Sequence, residues 1–100
     1  MRYEFHPEAL AEFEEAARYY SRCQPGLDIR FIASVREAVD RILDDPTRWR
    51  AFDEDVRRCF TRVFPYGIIY TIERDYVLIL AVAHCSRKPG YWKNRPSRDK

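Results

Sequence analysis

The sequence predicts an α+β domain: an N-terminal strand and a helical hairpin packed on a mostly antiparallel sheet, in the order β-α-α-β-β-β. Three observations lead there. Two stretches before residue 46 carry apolar residues at helical spacing and are separated only by Pro25-Gly26. Three runs rich in β-branched and aromatic residues follow residue 55. The last of them, VLILAVA, is apolar at every position, as a strand covered on both faces must be. A helix hairpin laid on one face of the sheet is the simplest way to bury both helical stripes.

Taken in order, Met1 to Phe5 alternates weakly and reads as a short first strand. Pro7 opens a helix where its missing N–H costs nothing, with His6 at the helix N-terminus. Leu10, Phe13, Ala17 and Tyr20 form its apolar stripe, acids come early and arginines late, and Glu14 to Arg18 is a favourable i,i+4 pair. The second helix runs from Leu27 to Asp45 with Phe31, Ile32, Val35, Ala38, Val39, Ile42 and Leu43 on one side, and Pro46 closes it. The link between the helices is short enough to make them antiparallel neighbours. Thr47 to Asp55 is polar and unpatterned, with Trp49 and Phe52 as anchors. Strands are expected at Val56–Phe64, Ile68–Glu73 and Tyr76–His84, the last central in the sheet, with Arg74-Asp75 as a two-residue turn. One domain over 1–95 and a mobile tail over 96–100 complete the expectation.

One hundred residues, 46% of them hydrophobic and 15% aromatic, suffice for a folded core and exclude a disordered chain. No apolar run approaches the roughly 18 residues of a membrane helix, and the start has no signal-peptide pattern, so a cytoplasmic protein is expected. Cys23, Cys59 and Cys85 are odd in number, widely spaced and without a CxxC pair, which argues for free thiols and against a disulfide framework or zinc site. The net charge of +2 is unevenly spread. Residues 1–45 hold six arginines against ten acids, and residues 46–100 hold twelve basic residues against six acids. The second half therefore attracts a polyanion or an acidic partner.

No motif declares an enzyme. There is no phosphate-binding glycine loop, GxSxG or HExxH, no cofactor or metal is indicated, and the carboxylate pairs Glu14-Glu15 and Asp44-Asp45 read as solvated helix surface. Two clusters are candidates. In the strand after the polar loop, Arg58, Phe60, Arg62 and Phe64 share one face by the period-two rule and Arg57 lies on the other. Arginines alternating with phenylalanines suit phosphates and bases, an acidic segment of a partner protein, or plain solvent. The second cluster, His84, Arg87, Lys88, Tyr91 and Trp92, follows the central strand, where loop residues held by a rigid sheet tend to carry function. RNA cleavage by its own 2′-OH needs a base, a cation for the phosphate and an acid. His84, Arg87 and Tyr91 have those chemistries, and the structural alternative is that Tyr91 and Trp92 pack the tail onto the core.

From Arg57 to Trp92 the chain reads RRCFTRVFPYGIIYTIERDYVLILAVAHCSRKPGYW. FPYGIIY, the strand ending in AVAH, the following RKPGYW, and the helix start HPEAL resemble the RelE/ParE superfamily of type II toxin–antitoxin toxins, in particular its plasmid-stabilisation ParE-like subgroup. The resemblance covers nearly all of residues 1–95. It implies a bacterial growth-inhibiting toxin and a cognate antitoxin encoded by an adjacent gene, which covers the basic surface and exposed apolar residues of the helix hairpin. RelE-like members cleave mRNA on the ribosome without metal, and ParE-like members inhibit DNA gyrase. Arg87 and Tyr91 stand where RelE-like toxins carry a functional arginine and tyrosine, which implies a nuclease with Arg62 and Arg87 on the phosphate and His84 or Tyr91 moving protons. Gly67 stands in place of another functional arginine, and no lysine precedes Arg87. Those departures leave a non-catalytic gyrase inhibitor, or an antitoxin-binding member without toxicity, as the alternatives.

Overall fold

The computed structural model describes residues 1–95; the expected mobile tail at 96–100 lies outside them. Strand β1 (Arg2–Phe5) leads into helix α1 (Pro7–Cys23), helix α2 (Leu27–Asp44), strands β2 (Val56–Phe60), β3 (Tyr66–Ile72) and β4 (Tyr76–His84), and a 3-10 turn, η1 (Tyr91–Asn94). The sheet order is β1-β4-β3-β2, with β1 parallel to β4 and the other pairs antiparallel. The expected class, element order and inner position of β4 all hold.

Local chemistry accounts for the element ends. His6 caps α1 by accepting the Glu8 N–H on Nδ1 at 3.1 Å, the role usually taken by Ser or Asp. Gly26, at φ 84°, supplies the left-handed residue that reverses the chain between the helices. The Glu73 N–H donates to the Tyr76 carbonyl at 2.8 Å, so Arg74-Asp75 is the two-residue turn expected.

Strand β2 is shorter than its period-two pattern predicts. It stops at Phe60, because the Thr61 hydroxyl donates to the Phe64 carbonyl at 2.8 Å and Val63 turns into the left-handed region at φ 75°. Phe64 then enters the core against Phe31 and Tyr20, and Arg62 leaves the sheet. The single face expected for Arg58, Phe60, Arg62 and Phe64 therefore exists only as far as Phe60.

Each face of the sheet carries a buried apolar layer. Phe31, Val35, Ala38, Val39 and Ile42 of α2, with Ala9 and Ala16 of α1, cover Cys59, Ile68, Tyr70, Val77, Ile79 and Val82. On the opposite face Val56, Ile69, Tyr76, Leu78, Leu80 and Ala81 pack with Trp92, so η1 lies over the side away from the helices. A bulge sets which residues face where near the end of β4. Ile69 pairs with Ala81 but Tyr70 pairs with Ile79, leaving Leu80 extra. Leu80 and Ala81 both face outward, and the alternation resumes with Val82 on the helix side. His84 is thereby carried to the helix side as well, edge-on to Tyr66 at 5.1 Å.

Candidate functional site

Strand β1 pairs with β4 only as far as Ile79, so the upper part of β4 has a free backbone edge. Two side chains close it. Glu12 of α1 accepts the Val82 N–H at 3.0 Å, and Arg95 donates to the Leu80 carbonyl at 3.2 Å. The same Glu12 carboxylate takes the Tyr91 hydroxyl at 2.6 Å and both Arg95 amino groups, at 2.8 and 3.1 Å. One acid thus ties helix, strand and C-terminal turn together. Arg95, with its side chain 9% exposed, is a buried cation with a bidentate partner.

The second cluster of candidates surrounds this junction. The Arg87 guanidinium lies over the Tyr91 ring at 3.9 Å, with Arg95 also against that ring at 5.1 Å. Burial and the hydrogen bond to Glu12 push the Tyr91 hydroxyl well above its usual pKa. The proton of Tyr91 is held by Glu12, which argues against a role in proton transfer. His84 accepts the Ser86 N–H on Nδ1 at 3.0 Å, with the Ser86 hydroxyl 2.7 Å from the same nitrogen. His84 and Arg87 share a hollow of about 300 Å³ with Glu12, Glu15, Tyr19, Arg22 and Tyr66. Burial and the neighbouring Tyr20 push Tyr66 up to about 12. Lys88 is exposed on the loop beside Arg87, and Trp92 is 5% exposed within the outer core, the packing role weighed for it from the sequence.

The arginines of the first cluster do not join that hollow. Arg57 points to the helix side and donates to the Trp49 carbonyl at 2.6 Å, pinning the 47–52 loop. Arg62, 72% exposed, faces Glu37 of α2 at 3.7 Å, and the Arg62 carbonyl accepts the Ser34 hydroxyl at 2.8 Å. Arg58 lies on the outer face between the rings of Phe52 and Phe60, at 4.9 and 4.8 Å. The Arg58 side chain runs over Gly67, where an added Cβ would stand 3.1 Å from it and push it aside by a few tenths of an ångström. The shared phosphate contact expected of Arg62 and Arg87 is thus not formed, because Arg62 leaves the sheet where β2 ends at Phe60, and Arg58, still within β2, faces the outer side.

Sequence reasoning missed Glu12, Arg95 and the pairing of Phe52 with Arg58. Glu12 looks like any acid beside a helical stripe, and its partners lie 70 to 83 residues away. Among the described residues no three of His, Cys, Asp and Glu are grouped as a metal site requires.

Residues 3–89 match the profile of the ParE toxin of type II toxin-antitoxin system, parDE. No curated protein shows a significant match. Among solved structures the fold resembles a chain of the chromosomal ParDE TA system from P. aeruginosa. The TM-score is 0.73 and the identity 14%, over 84% of this chain and 95% of that one. The profile match spans most of the sequence, and the chain belongs to the ParE toxin family.

Proposed function

We propose that this chain is the growth-inhibiting toxin of a toxin–antitoxin pair, and that it acts by binding its target, without cutting RNA. Its partner on this reading is an antitoxin encoded by an adjacent gene, and its target is DNA gyrase, as the resemblance to ParE-like toxins implies. The observation that carries the reading is the separation of the groups a nuclease would need. Arg58 and Arg62 sit apart from His84 and Arg87, and the Tyr91 hydroxyl is committed to Glu12. General acid–base catalysis needs its groups within hydrogen-bond reach of one phosphate, a requirement this distribution does not favour. Arg87 suits contact instead: its guanidinium lies over an anchored ring at 3.9 Å and so costs little entropy to immobilise.

Gyrase supercoiling and toeprinting on translating ribosomes separate the readings. Added toxin is expected to stop supercoiling while messages stay intact, with Arg87→Ala weakening the inhibition roughly tenfold or more, as for a well-packed arginine at an interface. Cleavage within A-site codons that disappears in Arg87→Ala would overturn the proposal and restore the nuclease.

A further inference from the structure

The geometry points to the outer face carrying Phe52, Arg58 and Phe60 as the docking surface for an acidic segment of the antitoxin with an apolar anchor. This rests on membership of the toxin family, and it holds whichever target the toxin attacks. The surface lies at the β2 end of the sheet, away from the hollow of His84 and Arg87. Phe52 is 46% exposed and Phe60 51%, two aromatic rings left half in water on one small patch. With Trp49, Arg50 and Arg58 they bound a hollow of about 530 Å³.

The patch is rigid before anything binds. Arg57 donates to the Trp49 carbonyl and the Tyr70 hydroxyl to the Pro46 carbonyl, each at 2.6 Å, so neighbouring strands hold the start of the loop at two points. Phe52 rests edge-on against buried Trp92 at 5.8 Å. A preformed aromatic and guanidinium surface keeps the ordering cost of binding low.

Charge identifies the occupant. Arg50 and Arg58 pair with no carboxylate among the described residues, whereas Arg62 and Arg41 on the helix side share Glu37. Unpaired guanidiniums between exposed rings call for carboxylates set beside an apolar side chain. Asp53, Glu54 and Asp55 directly follow Phe52. These acids line the neighbouring hollow beside Trp92 and Lys93, so only a short stretch at Arg50 and Arg58 is open to anions, which suits separate carboxylates on a peptide better than a continuous phosphate chain. Strand addition is not the mode, since the β2 edge is already blunted. The Val56 carbonyl accepts the Phe52 N–H, and the Phe60 carbonyl accepts Arg41, each at 2.9 Å. Docking is through side chains.

The test uses the toxin purified with the protein of the adjacent gene, and compares antitoxin affinity with growth arrest when the toxin is expressed alone. Arg58→Ala and Phe60→Ala are each expected to weaken antitoxin binding roughly tenfold or more while growth arrest persists. Arg58→Lys, which keeps the charge but not the planar stack, is expected to recover part of the loss. Thermal melts matching the unsubstituted chain show that the variants fold. Three results overturn the inference: unchanged antitoxin affinity in both alanine variants, marking a solvated face; lost arrest with unchanged affinity, marking a target surface; or binding of a labelled oligothymidylate that Arg58→Ala abolishes while antitoxin affinity stays constant, marking a nucleic-acid site. Failure of the gyrase proposal leaves all these readouts intact, because none measures supercoiling.

Discussion

The two faces of the sheet both bury apolar side chains but are very differently covered. On one side, helices of 17 and 18 residues lay down a continuous layer that includes Phe31, Val35 and Ile42, each at most 1% exposed. On the other, a four-residue turn inserts Trp92 and is held through polar contacts that converge on Glu12. Helical cover is redundant, since removing one side chain leaves the others in place. The outer cover depends on one ring and one carboxylate. Both proposed surfaces border that thin side: the Arg87 guanidinium lies on Tyr91 of η1, and Phe52 leans on Trp92. The two proposed binding surfaces lie where the sheet is least deeply covered, as expected where function draws on the less stable parts of a fold.

The largest effects should come from the two cores. Phe31→Ala is expected to cost about 3 to 5 kcal/mol in urea unfolding, as a fully buried aromatic does. Trp92→Ala is expected at the lower end of that range, because the thin cover can collapse or detach. A cost for Trp92→Ala above that of Phe31→Ala would break the contrast between the faces.

Alkaline unfolding tests both sides together. Burial raises Tyr66 and Tyr70 on the helix side to about 12, and Tyr91 on the outer side also rises. The folded state therefore holds these protons more tightly than the unfolded chain. Stability should be full below a pH of about 10, the ordinary tyrosine value, and fall as pH climbs towards 12. A melting temperature that stays flat across that window would refute the burial of these hydroxyls.

Glu12→Gln should act regionally. It takes the bidentate carboxylate from buried Arg95 and leaves only Glu8, at 3.7 Å, as counter-ion, at a cost of about 1 to 3 kcal/mol. Amide exchange should speed up at Tyr91–Asn94 and near Val82, with α2 unaffected. Uniform acceleration would mean the turn is not a separable unit. Arg62→Ala should be smallest, under about 1 kcal/mol, since an exposed ion pair at 3.7 Å contributes little. A larger loss would make Arg62 a structural residue.

Much of the fold was legible in the sequence because it is written in local periodicity. Apolar spacing located both helices, Pro25-Gly26 located their turn, and the unbroken VLILAVA marked an inner strand. The candidate site was only partly legible. His84, Arg87 and Tyr91 do gather at one end of β4, as short sequence separation and a rigid strand require. Arg57 and Arg58 take opposite faces as expected, but Arg62 does not continue the pattern, because alternation cannot announce where it stops. A threonine hydroxyl and a left-handed valine ended it at Phe60.

The sequence by itself determined the element order, the buried stripes and the toxin family, all carried by patterns within a few tens of residues. Tertiary structure alone decided that Leu80 bulges, that His84 turns to the helix side, that Glu12 holds residues far along the chain, and that Arg58 lies between two rings. The physical reason is range. Periodicity records which face a residue takes within its own element, but a hydrogen bond or stacked cation depends on where other elements bring their groups, and no local pattern encodes that.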